Sequence, residues 1–220
     1  MLKMDRQSKI LSIRDPFWQT IGVYCEKMPE DIFNYLKDSI NNKDYRKYNH
    51  ALAGNIKEEY DIMSLLKEDL HGYLLKLTTN PMYDNYMSEM CVLTEDRLFQ
   101  VNNLWVNYMK KNEFNPVHYH DGLYSWNIIV KIPYDLDEEL KNSPGAKSNT
   151  NTASCLAFHR TGYLGHIETI YCGLTKEDEG HIMFFPSRLR HSVNPFYSSD
   201  DYRITISGNI YLNPNKKPIQ

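Results

Sequence analysis

No run of this sequence approaches the ~18 uninterrupted apolar residues that a membrane-crossing helix requires, which excludes a helical span. The opening stretch, MLKMDRQSKILSIRDP, has no apolar segment of the kind a secretory leader carries, so a cytoplasmic location is expected. Cysteine is scarce. Cys25, Cys91, Cys155 and Cys172 form no C-x-x-C pair, which argues against a thiolate zinc site, and four free thiols are expected. Positive charge is not in excess: 25 Lys and Arg stand against 28 Asp and Glu, a formal net charge of −3. That balance lacks the basic footprint of a nucleic-acid binder. Also missing are a G-x-G-x-x-G fingerprint, a P-loop and an ordered Ser–His–Asp set, so dinucleotide, nucleotide and triad-hydrolase chemistry find no support. There is no internal repeat and no long linker.

What is present is 220 residues, 41% apolar and 24% charged, enough to bury a sizeable core in one domain. The first ninety residues read mostly as helix. Gln19–Cys25 is a short apolar strand candidate. Pro29-Glu30-Asp31 opens a helix with Ile32, Phe33, Leu36 and Ile40 on one side. A second helix is read over Tyr60–Leu77 from the spacing of Ile62, Leu65, Leu66, Leu70, Leu74 and Leu75, and a third over Pro81–Met90. From Phe99 the period becomes that of strands: Phe99–Met109, Pro116–His120, Tyr124–Ile132, Ser154–Phe158, His166–Cys172, His181–Phe185, His191–Phe196 and Tyr202–Leu212. Eight short strands separated by turn signals indicate an all-β sandwich or barrel, with amphipathic helices to cover a sheet. The polar insert Lys141–Thr152 reads as a mobile loop, one that could serve as a lid or simply be surface.

Chemistry concentrates in two places. His118 and His120 stand two apart in NPVHYHDG, so on a strand both imidazoles face the same way. His191, in FFPSRLRHSVNPF, begins a distant strand. Two nitrogens from one strand and one from another make a facial metal-binding set that leaves positions open for other ligands. The plain alternative is one hydrogen-bonded core histidine with the others facing water. His50, His71, His159, His166 and His181 are read in that plain way.

Twelve residues after His191 stands Arg203, in DDYRITISGNIYL. Alternation puts Arg203, Thr205, Ser207 and Asn209 on one face of that strand and Tyr202, Ile204, Ile206 and Ile210 on the other. Four polar side chains would be costly against a dry core and fit the wall of a polar pocket. A solvent-facing edge strand would alternate too. The planar fork of an arginine matches a carboxylate with two parallel hydrogen bonds.

NPVHYHDG, MFFPSRLRHSV and YRITISGNIYL, in that order and spacing, resemble the iron(II)/2-oxoglutarate-dependent dioxygenase superfamily, most closely its prolyl-hydroxylase-like branch, which has many phage-encoded members. The resemblance runs from about Asn103 to Leu212. It implies a double-stranded β-helix, or jelly roll, packed against α-helices: a single domain over residues 1–220, with 1–97 a mostly helical support region and 98–213 the core that carries the metal site. It implies Fe(II) as metal, 2-oxoglutarate as cosubstrate and O2 as oxidant, in an enzyme that couples oxidative decarboxylation of 2-oxoglutarate to C–H hydroxylation. His118 and His191 match the family's first and distal metal-binding histidines. Arg203 matches the arginine that holds the far carboxylate of 2-oxoglutarate, with Thr205 keeping the hydroxyl two residues on. Phe185-Pro186 resembles the turn before the distal histidine. Asn107 and Asn127 fall where related enzymes contact the cosubstrate, and Tyr108 should point away from them.

The sequence departs from the family at one position. The superfamily usually reads His-x-Asp or His-x-Glu, and here the third residue is His120, with Asp121 one step further. Either three imidazoles make the site, or a bulge turns Asp121 inward in place of His120; regular geometry favours His120. The expected partners are 2-oxoglutarate and a primary substrate, for which a prolyl or other peptidyl side chain is the first choice, with no nucleic acid and no membrane. Two readings compete: a non-catalytic jelly-roll binding or structural protein with a vestigial pocket, and a cupin-like metalloenzyme without a keto acid, which would leave Arg203 without a role.

Overall fold

Alternation along one strand explains most of the architecture. Ile204, Ile206 and Ile210 pack toward a layer of helices, while Arg203, Thr205, Ser207 and Asn209 face the opposite way and are buried. A strand lined on both faces must be central, and this one is. The computed structural model describes residues 10–41, 44–89 and 99–212. Its elements in chain order are β1 (Ile10–Leu11), β2 (Tyr24–Lys27), α1 (Glu30–Ser39), β3 (Glu58–Asp61), α2 (Glu68–Leu77), α3 (Asp84–Glu89), β4 (Phe99–Met109), β5 (Asn115–His118), β6 (Tyr124–Lys131), α4 (Leu136–Asn142), β7 (Leu156–Thr161), β8 (Ile167–Cys172), β9 (His181–Pro186), β10 (Arg190–Val193) and β11 (Arg203–Leu212).

The strands form two sheets, ordered β1-β8-β7-β10-β5 and β2-β9-β6-β11-β4-β3. Stripped of β1, β2 and β3, the remaining eight pass from sheet to sheet except at the β7–β8 hairpin, in the antiparallel order of a jelly roll. One core lies between the sheets, built from Met109, Ile129, Phe158, Met183, Phe185 and Val193. A second lies between the larger sheet and the helices, where Leu36, Leu70, Leu74 and Tyr83 meet Val106, Ile128 and Ile206. The polar face of β11 therefore looks into the space between the sheets. Among the described residues no helix is long and apolar enough to cross a membrane.

All eight strands read from the sequence are present, with ends shifted by up to three residues. The N-terminal part differs more. The helix read over Tyr60–Leu77 starts only at Glu68: residues 58–61 are strand β3, antiparallel to β4 with Glu59 opposite Asn107 and Tyr60 opposite Val106. Tyr60 packs edge-on against Tyr108 in one layer while Glu59 turns to the other, an alternation that the helical spacing of the leucines beyond it obscured. Gln19–Cys25 is not one strand. A 3-10 turn, Pro16–Ile21, is capped by the Asp15 carboxylate and closed by Gly22 in the left-handed region (φ 81°), so β2 begins at Tyr24. In the third helical segment a turn over Pro81–Tyr83 precedes α3, and Met90 lies outside the described residues.

The insert Lys141–Thr152 folds back on α4: Asn151 donates to the Leu140 carbonyl, and Asn194 binds Thr152 through both its carbonyl and its hydroxyl. Cys25, Cys155 and Cys172 are free thiols, and Cys91 lies outside the described residues.

Candidate metal centre

β5 and β10 lie side by side in the smaller sheet with His118 directly opposite His191. β5 is an edge strand, which is how it accommodates Pro116. The chain leaves the strand after His118 but stays extended long enough for His120 to return to the same side, its backbone N–H donating to the Ser187 carbonyl at 2.9 Å. Tyr119, between the two histidines, points outward and is flanked by Arg188 and Arg190, each 5.1 Å from its ring.

The three imidazoles meet at one point. A ligand nitrogen from each of His118, His120 and His191 lies within 4.8 Å of the others. Nδ1 of His118 donates to the Pro116 carbonyl at 2.7 Å and Nδ1 of His191 to the Leu189 carbonyl at 2.9 Å. A carbonyl can only accept, so these Nδ1 atoms carry the protons and the Nε2 lone pairs are left free. Nε2 of His191 then faces Nε2 of His120 at 3.2 Å. Burial drives all three toward the neutral form. His120 is lowered to about 3 by desolvation with the His118 charge adding; His191 falls well below the usual range by desolvation, then by His118 and His120. His118 is lowered by desolvation, against the Pro116 carbonyl. Neutral imidazoles with lone pairs aimed at one another suit a divalent cation and little else.

Asp121 lies outside this cluster. Its side chain is 79% exposed and lies 3.8 Å from Arg188. The chain turns at Gly122 (φ 94°), where a side chain would also strike the Ile210 carbonyl, and this turn carries the carboxylate outward. None of the other five histidines joins a ligand cluster among the described residues; His159, for example, is held between the Thr169 and Ser192 hydroxyls.

A second polar cluster surrounds Arg203, which is 1% exposed. Its Nη1 donates to the Ser154 carbonyl at 2.8 Å, while Nε and Nη2 are buried without a partner. The Ser154 and Tyr134 hydroxyls are likewise buried and lie near each other, and the Arg203 charge, then the Ser154 hydroxyl, oppose the upward push of burial on the Tyr134 hydroxyl. A buried guanidinium with two idle donors and no carboxylate beside it is costly as it stands. The donor set fits a carboxylate. Tyr134 and Ser154 carry no motif; only the fold brings them to Arg203.

A cavity opens at the histidines, lined by all three together with Trp105, Asn107, Asn127 and Ser207. Asn107 donates to the Thr205 hydroxyl at 3.2 Å, and the Oδ1 atoms of Asn107 and Asn127 have no partner. Tyr108 points the other way, bonding the Ile40 carbonyl in the helical layer. The sequence reading missed Glu59, which lines the same cavity from β3 and is 1% exposed. Burial pushes its carboxyl up to about 7; the Asn49 amide opposes that shift and Glu113 adds to it. A carboxylate so displaced in a cleft marks a functional position.

Residues 103–209 match the family model described as 2OG-Fe(II) oxygenase. No curated protein matches the chain. Among solved structures, a Pseudomonas putida prolyl-4-hydroxylase is similar at 13% identity, with 89% of this chain and 95% of that one covered and a TM-score of 0.49. A 2OG-Fe(II) oxygenase-family oxidoreductase from Burkholderia pseudomallei shares 11% identity over 88% and 86% of the two chains, TM-score 0.48. The viral collagen prolyl hydroxylase of Paramecium Bursaria Chlorella virus-1 shares 11% over 87% and 96%, TM-score 0.45. These likenesses are distant.

Proposed function

We propose, from the match of residues 103–209 to a 2OG-Fe(II) oxygenase family model, that the chain is a hydroxylase whose iron is held by His118, His120 and His191, with a peptidyl side chain, prolyl first, as the primary substrate. The observation that carries this reading is the convergence of three neutral imidazoles within 4.8 Å. When bound, iron with 2-oxoglutarate and O2 supplies the C–H oxidation, coupled to decarboxylation of the keto acid to succinate.

The protein's own residues orient and enclose. The Pro116 and Leu189 carbonyls hold two imidazoles in the tautomer that leaves Nε2 free. Three imidazoles leave the centre one charge more positive than two imidazoles and a carboxylate. Arg203, with Tyr134, Ser154 and Thr205, receives the far carboxylate of 2-oxoglutarate, and Asn107 and Asn127 contact the rest of it. We assign the whole chain to one domain, residues 1–97 supporting the core at 98–213.

The test is succinate formation. With Fe(II), 2-oxoglutarate and O2, the wild-type chain should release succinate, and Arg203→Ala should release it only at much higher 2-oxoglutarate. A non-catalytic jelly roll would release none, and a cupin-like enzyme would be indifferent to 2-oxoglutarate.

A further inference from the structure

Among the described residues, Glu59 is the only acidic residue lining the histidine cavity, and no lysine or arginine lines it. Its Oε2 accepts a hydrogen bond from Asn49 Nδ2 at 3.1 Å, and its Oε1 accepts none from any described residue. Gly54 shows where Oε1 points. A Cβ on that glycine would lie 2.6 Å from Glu59 Oε1 and 2.4 Å from Asn115 Oδ1, so both oxygens crowd the bare face of Gly54. Asn115 Oδ1 is buried without a donor, and so is Asn107 Oδ1, opposite Glu59 in the sheet. All three residues line the cavity. The corner at the bare face of Gly54 thus gathers two acceptor oxygens, Glu59 Oε1 and Asn115 Oδ1, that no donor reaches among the described residues.

Iron and 2-oxoglutarate do not fill this need. The imidazoles and the Arg203 cluster account for both, and Glu59 is outside the set of groups that converge for a metal. An ammonium group brings several donors and one positive charge to two acceptor oxygens, one of them on a carboxylate. We propose that Glu59, with Asn115, forms a cation subsite that receives a protonated amine of the primary substrate, an inference that rests on the oxygenase reading for the substrate's fate. Glu59 is then a specificity-determining residue, and the substrate is an alkylamine, free or as a basic side chain of a peptide. The upward displacement of its carboxyl is what an unmatched buried carboxylate shows, and a bound ammonium would reverse it.

The experiment is a calorimetric titration of the full chain, loaded with Fe(II) and 2-oxoglutarate under anaerobic conditions. The probes are n-butylammonium, its neutral counterpart 1-butanol, and Nα-acetyl-lysine amide. Wild type should bind n-butylammonium about tenfold or more tightly than 1-butanol, the worth of a charge-assisted hydrogen bond. Glu59→Gln, which keeps the shape, and Gly54→Ala, which plugs the corner but keeps the charge, should each abolish that preference. Both should leave 2-oxoglutarate affinity unchanged, and melting curves confirm that each is folded. Tighter binding of the lysine amide than of n-butylammonium would assign the subsite to a peptide side chain, and the reverse to a free amine. Equal binding of n-butylammonium and 1-butanol by wild type would overturn the proposal, the Asn115 amide then already serving Glu59; so would a preference that survives both substitutions. If wild type takes up neither Fe(II) nor 2-oxoglutarate, the oxygenase reading fails by itself, and the same probes on the metal-free chain still decide the subsite.

Discussion

Arg203 and Glu59 are each a buried charge that the protein itself leaves incompletely matched, and each gives a sharp expectation. Removing the guanidinium deletes two free donors from a desolvated cluster. Charge-assisted bonds are worth about 1.5–3 kcal/mol each, so Arg203→Ala should weaken 2-oxoglutarate binding by tens- to hundreds-fold while leaving metal content nearly intact. A titration with unchanged 2-oxoglutarate affinity would contradict the assignment. For Glu59 the folded-state pKa is raised, from an ordinary 4.5 to about 7. A carboxyl raised in this way stabilises the fold at pH below its unfolded value and loses that contribution as pH climbs through about 7. The shift amounts to up to about 3 kcal/mol. In the ligand-free chain Glu59→Gln should therefore gain on wild type in melting temperature between pH 5 and pH 8; a constant gap would show that the charge is not buried unpaired. His118, His120, His191, Arg203 and Thr205 were legible in the sequence because strand alternation and motif order mark them. Tyr134, Ser154 and Glu59 were not, because each reaches its cluster from a segment with no motif, the first two from loops and Glu59 through the pairing of β3 with β4.

At the scale of elements, β11 is the axis of the site, paired with β4 on one side and β6 on the other. Gly208 interrupts its alternation, and the geometry explains why. A Cβ there would lie 2.2 Å from the ring of Trp126 and 2.4 Å from the Asn103 carbonyl. Neither neighbour can yield, since the indole is fully buried and the carbonyl is backbone. Gly208→Ala should cost about 1–3 kcal/mol or more by overpacking, read as a lower denaturant midpoint; an unchanged midpoint would mean that the two strands can part freely. The strands of the core were legible from period two. β3 was not, because four residues of strand precede a leucine-rich helix, and the helical period of the longer segment dominates any window that includes both. The turn at Pro16–Ile21 was hidden in the same way, an apolar run whose capping by Asp15 and closure by Gly22 decide its shape.

Over the whole molecule, two cores share one central sheet. The helical layer seals its outer face, so the inner face can afford a polar lining of Asn107, Thr205, Ser207 and Asn209. Hydrophobic burial behind the sheet offsets the cost of polar groups in front of it. The double-stranded β-helix packed against helices that the three motifs implied is the fold observed, with β1, β2 and β3 added at the sheet edges. The proposed donor set of three imidazoles is where this chain departs from the His-x-Asp or His-x-Glu pattern it otherwise resembles, and it would decide the charge of the site.

Iron content after anaerobic reconstitution, compared between His120→Ala and Asp121→Ala, tests that donor set most directly. His120 lies 3.2 Å from His191 inside the cluster, and Asp121 is outside it against Arg188. The account predicts that Asp121→Ala retains close to one iron per chain and that His120→Ala loses most of it, with both variants folded. Retention by His120→Ala together with loss by Asp121→Ala would contradict it and give the third position to the carboxylate.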